Sequence, residues 1–203
     1  MNKLTWNDVT LEQFNQLQEV MKIEDETDRV IALAETIIGP EVTELSITEF
    51  NKAVAQLSFL KEEVPYKEVA PKKVVLNGRK YYTDCLLGNI TTAQYVDFQN
   101  HLKTQDTSKI LSCFVIPEGH KYNDGYDMEQ VFEDIKGMPI PTALSMSFFF
   151  ARQFSVFMRI FQRYSTKKIQ DLNLPKETKK NLSTVVEKSV DMALYPLSSS
   201  FAK

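Results

Sequence analysis

Only two histidines and two cysteines occur among the 203 residues, and these are the side chains best suited to proton transfer, nucleophilic attack or soft-metal ligation near neutral pH. His120 opens the loop HKYNDGYD (120–127) with Tyr122, Asp124, Tyr126 and Asp127, a composition that can set an imidazole beside a carboxylate. A catalytic pair there would still need a nucleophile or a metal, and no Ser or Cys stands in an elbow sequence. A turn-stabilising hydrogen bond is the simpler use. Asn123-Asp124-Gly125 matches part of a calcium loop without its alternating acids and closing Glu. Glu24, Asp25, Glu26 and Asp28 cluster with no His beside them and read as a solvated turn between helices. His101 reads as an ordinary helix residue, and Cys85 and Cys113 as packed thiols of a reducing compartment. The six glycines are single and form no phosphate loop. The expectation is a protein without catalytic residue, metal, cofactor or small-molecule substrate, and so not an enzyme.

The elements that would position any site are mostly helical. Thr10 with Gln13 has capping-box spacing, and Leu11, Phe14, Leu17 and Met21 follow at helical intervals, predicting a helix over about 11–22. A second helix, with Asp28 as its cap, carries Val30, Ile31, Ala34, Ile37 and Ile38 up to the stop signal Gly39-Pro40. Ser46 with Glu49 begins a third, to about residue 62. Pro65 and Pro71 bracket an extended linker. Asn77-Gly78 between β-favouring runs predicts a hairpin over about 72–84, because a type I′ turn needs positive φ at both central residues. A lone hairpin must pack on a helix or pair with another strand. Thr91 with Gln94 and Asp127 with Gln130 start two more helices, and Ser108 caps a buried segment, Ile110 to Ile116.

Pro139 and Pro141 open a long Phe-rich helix, about 141–165. Within it ALSMSFFFARQFSVFMRIF (143–161) holds Phe148, Phe149, Phe150, Phe154, Phe157 and Phe161. That length is near the spanning minimum, but Arg152 and Arg159 lie inside, and a central Arg costs about 2.5–3.5 kcal/mol on insertion. Ser145, Arg152, Arg159 and Arg163 share one helical face. A helix buried in protein, or partly reserved for a neighbouring subunit, fits better than a span. Pro175 suits the first turn of a last helix striped by Leu182, Val185 or Val186, Val190 and Ala193 or Leu194, before a mobile tail, PLSSSFAK.

Composition, with 43% hydrophobic and 25% charged residues, is that of a globular protein. No apolar run of signal-peptide length opens the chain, which argues against export. The net charge of −3 hides an asymmetry: residues 1–64 carry 5 cations and 13 anions, residues 141–203 carry 10 and 4. An acidic head and a basic tail favour contact between opposite ends, within one chain or between copies. The lysines of the tail lack interleaved aromatics, so nucleic acid is not an expected partner. The organisation expected is an acidic helical unit, 1–64, followed by a hairpin and helical domain with a basic end, 65–203. The fold class expected is α+β, mainly helical.

The segments IPEGHKYNDGYDMEQV (116–131), LNGRKYYTD and TTAQYVDFQNHL, after an opening W-x-x-V-T-L-x-Q-F, resemble small proteins encoded among the structural genes of tailed bacteriophages of Bacteroidetes hosts, the crAss-like group included. The resemblance covers roughly residues 4–160. It implies a virion-assembly or minor structural protein, similar to a tail-assembly chaperone, acting on tail, portal or capsid proteins in the host cytoplasm and carried or not into the virion. Homo-oligomerisation is compatible with it. The alternative expectation is a membrane-associated phage protein using the 143–161 helix. The side chains expected to meet a partner are Trp6, which also suits packing across the entry to the first helix, and Phe149, Phe150, Arg152, Phe154, Phe157, Arg159 and Phe161.

Overall fold

A computed structural model describes residues 3–83, 89–104 and 106–200, with side chains through Asp191. The chain is α+β and mainly helical. Helix α1 (Leu11–Val20) starts at Thr10, whose hydroxyl accepts from Gln13 N while the Gln13 side chain accepts from Thr10 N, the reciprocal pairing that satisfies two orphan donors. Helix α2 (Glu26–Ile37) is capped by Asp25, three residues before the expected Asp28. The earlier cap leaves Glu26 and Asp28 in the first turn, where the positive end of the helix dipole favours them. Helix α3 (Ile47–Gln56) has the Ser46–Glu49 box and tightens into a 3-10 turn through Lys61.

Strands β1 (Lys73–Leu76) and β2 (Arg79–Thr83) form the hairpin, with Asn77 at φ 47° and Gly78 at φ 76°, as a type I′ turn requires. The hairpin finds its third partner in a strand the sequence did not announce. The apolar run expected as one segment divides into helix α5 (Thr107–Ser112), capped by Asp106 rather than Ser108, and strand β3 (Val115–Pro117). Strand β3 pairs antiparallel with β2, Thr83 facing Val115 and Tyr81 facing Pro117. So short an apolar run has no period that separates helix from strand; the open edge of β2 decides it. Helices α4 (Thr92–Thr104) and α6 (Met128–Lys136) begin where their capping residues predict.

Helix α7 (Ile140–Asp171) runs six residues past its expected end. After a turn, helix α8 (Lys176–Ser200) packs back along it and runs into the first five residues of the tail PLSSSFAK, 196–203, whose last three lie outside the described residues. One contiguous apolar core extends from Trp6 to Val190. Within it Phe98 of α4, Phe114, and Phe150 and Phe154 of α7 form one aromatic cluster, with ring centroids 4.1–6.1 Å apart. Each such pair adds about 0.5–1.5 kcal/mol beyond area burial. The N-terminal unit is stitched to the start of α7 by Leu11 N donating to Met138 O and Ile140 N to Val9 O, both 2.8 Å.

One buried carboxylate fixes the sheet on the helices. Asp134 of α6 has a side-chain exposure of 0%. It accepts from Asn77 Nδ2 at 3.0 Å, from Arg79 Nη1 at 2.9 and 3.0 Å, from Gln130 Nε2 at 3.0 Å, and from the Tyr81 hydroxyl. The distinctive hairpin sequence N-G-R-K-Y is therefore the donor set for one acid. Burial pushes the Asp134 carboxyl up, but the bonds from Tyr81, Asn77, Arg79 and Gln130 together outweigh it and hold it below the usual aspartate range. Burial and the same bond raise the Tyr81 phenol.

Asp134→Ala strands the buried Tyr81 hydroxyl and the half-buried Gln130 amide and releases exposed Asn77 and Arg79, and the expected cost is about 3 kcal/mol in urea unfolding. The carboxyl titrates lower in the fold than in the unfolded chain. Its contribution is therefore complete above the ordinary 3.8 and is lost as pH falls through the lower folded value. The native protein should lose stability on acidification below about pH 4, and the variant should lose less; parallel acid profiles of the two proteins would contradict the clamp.

Candidate functional site

Helix α7 carries its phenylalanines at steps of four, three and four: Phe150, Phe154, Phe157 and Phe161. One stripe at that spacing faces one side of the helix. Its first half is core. Phe150 and Phe154 are 2% and 0% exposed, covered by Phe98 and Phe114, and this corrects their expected place in a partner surface. Phe149 is likewise packed against the core. Trp6 is also buried, its rings edge-on to Phe14 and Phe59 and its Nε1 donating to Glu62 O at 3.1 Å, so it packs and offers no free anchor. The second half of the stripe emerges, with Phe157 and Phe161 38% and 45% exposed. Arg152 and Arg159 are exposed, Arg152 lying 3.4 Å from Glu68.

Met158 is the last buried residue of α7, and beyond it α8 is the neighbouring element. The two helices form an arm whose seam is unusually polar. Half-buried Gln162, Ser165, Thr166 and Ile169 of α7 stand at seam spacing, as do Lys179, Ser183, Val186 and buried Val190 of α8. The Ser183 hydroxyl is buried there with no hydrogen-bond partner. Val156, Ile160 and Tyr164 are meanwhile exposed beside Phe157 and Phe161, and Leu182 and Val185 are exposed on α8. A two-helix arm that stood alone in water would place these the other way round. Residues 159–190 also carry eight cations and three anions, and among the described residues none of those cations has a carboxylate within ion-pair distance. Lys168 Nζ sits 5.7 Å from the Tyr164 ring centre.

A second apolar feature lies in the N-terminal unit, and no single helix of the sequence gave notice of it. Helices α1, α2 and α3 enclose a cleft of about 700 Å³ lined chiefly by Trp6, Phe14, Leu17, Met21, Leu33 and Leu57. It opens to solvent beside Met21, which is exposed. A smaller recess of about 410 Å³, between Ile90, Tyr95, Phe157 and Phe161, continues the exposed stripe towards α4.

The loop with the second histidine is held structurally. Tyr122 Oη donates to Asp97 Oδ2 at 2.8 Å, and His120 meets the edge of Tyr126 with ring centres 5.8 Å apart. Burial, with the Asp97 charge adding, pushes the Cys113 thiol up to about 12. Burial first, then the bond to Asp97, raises the Tyr122 phenol. Cys85 falls outside the described residues. Among the described residues no group of three His, Cys, Asp or Glu side chains is placed to hold a metal, and no helix is long and apolar enough to cross a membrane. The 143–161 segment expected to serve a membrane role is packed against Phe98 and Phe114 along its first half. The arrangement leaves apolar side chains exposed on the arm and around the cleft, with charged side chains at their margins. No family model, no curated protein and no solved structure matches this chain.

The division of the stripe is measurable. Phe154→Ala should cost about 4 kcal/mol in urea unfolding, as deletion of a buried ring does, while Phe161→Ala should stay within about 1 kcal/mol. Equal costs at the two positions would mean that the arm is packed as tightly as the body.

Proposed function

We propose that this chain works by binding other proteins, as an assembly or minor structural component of a tailed bacteriophage, in the manner of a tail-assembly chaperone and without chemistry of its own. The observation that carries the reading is the apolar stripe of α7, which leaves the core at Met158 and continues uncovered through Phe161. Apolar surface kept out of water's reach in one half and offered to it in the other is destabilising in isolation and is relieved when a partner covers it. The phage setting rests on the resemblance of the 116–131 segment and of the hairpin and α4 sequences. In that setting the partners are tail, portal or capsid proteins met in the host cytoplasm, with the particle as a further location.

The test is sedimentation velocity of the purified chain mixed in turn with the tail, portal and capsid proteins of the phage that encodes it. A complex with at least one of them is expected, weakened at least about tenfold by the double change Phe157→Glu with Phe161→Glu. A chain that binds none of these proteins, or binds one equally well in both forms, would overturn the reading.

A further inference from the structure

The two apolar surfaces of this protein belong to segments of opposite net charge. The cleft belongs to a unit with 5 cations and 13 anions over residues 1–64, and the arm, with its eight cations against three anions, is oppositely charged. At the mouth of the cleft stand Glu26, in the exposed run Glu24-Asp25-Glu26, and Lys61, followed directly by exposed Glu62 and Glu63. We propose that successive copies of this chain associate head to tail, the stripe Phe157, Ile160 and Phe161 of one arm entering the cleft between α1, α2 and α3 of the next copy. The inference rests on the protein-binding reading above and names one partner for it, a second copy.

Reach excludes the same pairing within one chain. The N-terminal unit is tied to the first turn of α7 by the Val9–Ile140 hydrogen bond. Phe161 stands 21 residues further along one continuous helix, about 32 Å away at 1.5 Å per residue. A rigid helix cannot fold that stripe back onto its own first turn, so a cleft that accepts it belongs to another molecule. The cleft is of the size that encloses a few large side chains, and its wall is apolar enough to replace the water around two phenylalanines. Once the apolar parts meet, arm cations and the acidic rim come within a Debye length of each other, where their attraction is felt. Cleft and arm are different surfaces, so the contact is heterologous. Each added copy leaves one cleft and one arm open, and growth continues until a ring closes or a partner caps an end.

The experiment uses the full chain and two surface variants, one in the arm (Ile160→Glu with Phe161→Glu) and one at the exposed mouth of the cleft (Met21→Glu). Circular dichroism and melting temperature first establish that both fold. Sedimentation velocity at low salt should give a concentration-dependent series for the native chain up to about 100 µM, collapsing towards monomer at about 0.5 M salt. Each variant alone should be monomeric, and an equimolar mixture should stop at dimers, since one variant retains its cleft and the other its arm. A native chain that is monomeric throughout, assembly that survives either variant, or a mixture that stays monomeric or grows past dimers would overturn the proposal. If the chain is monomeric yet binds a tail, portal or capsid protein, the head-to-tail contact falls and the functional reading stands; if it assembles but binds none of them, the reverse holds.

Discussion

A helix of 32 residues is longer than the body that covers it, and this mismatch governs the rest of the molecule. At 1.5 Å per residue α7 extends about 48 Å, whereas its phenylalanine stripe meets the rings of Phe98 and Phe114 over the first half alone. Tertiary packing stabilises a helix through its apolar face, and here the face continues after the packing ends. Helix α8 supplies cover for the arm, but along a seam of serines, Gln162 and Thr166 rather than along the phenylalanines. The hydrophobic effect thus holds one half of α7 in place and leaves Phe157 and Phe161 of the other half partly exposed.

The start of α7 lies beside the body's polar clamp. Asp134 ties the hairpin residues Asn77, Arg79 and Tyr81 to α6, and α6 passes through Gly137 and Met138 into α7. Met138 O and Ile140 N are in turn hydrogen-bonded to Leu11 and Val9 of the acidic unit. The sheet, the N-terminal helices and the start of α7 therefore meet around one short connection. A carboxylate with all its donors in place rigidifies such a junction; with one donor missing it would weaken it, since a buried charge is costly when its partners are removed.

Much of this was legible in the sequence where the physics is local. Thr10 with Gln13, Ser46 with Glu49, Thr91 with Gln94 and Asp127 state their helix starts through backbone donors that need acceptors, and Asn77-Gly78 states its turn through positive φ. What was not legible depends on distant neighbours. Strand β3 exists because β2 has an edge to fill, and three residues carry no period. Asp134 sits in an amphipathic helix like any other acid; the one hint was Asn77, Arg79 and Tyr81 at alternate positions, a polar row on one side of a hairpin that needs an acceptor. The phenylalanines were visible as a group, but which of them are covered follows from where Phe98 and Phe114 end, not from anything in α7 itself. The cleft needs three helices to exist and belongs to none of their sequences.

Native-state hydrogen exchange along α7 compares the covered and exposed halves of one helix in one molecule. Amides from Ala143 to Met158 should exchange only with global unfolding, and those beyond Ile160 should exchange through local opening of the arm, with a step in protection near Met158 in the dissociated chain. Uniform, global-level protection across 143–171 in that state would mean that the stripe is covered from end to end, with no exposed arm left for a partner to cover.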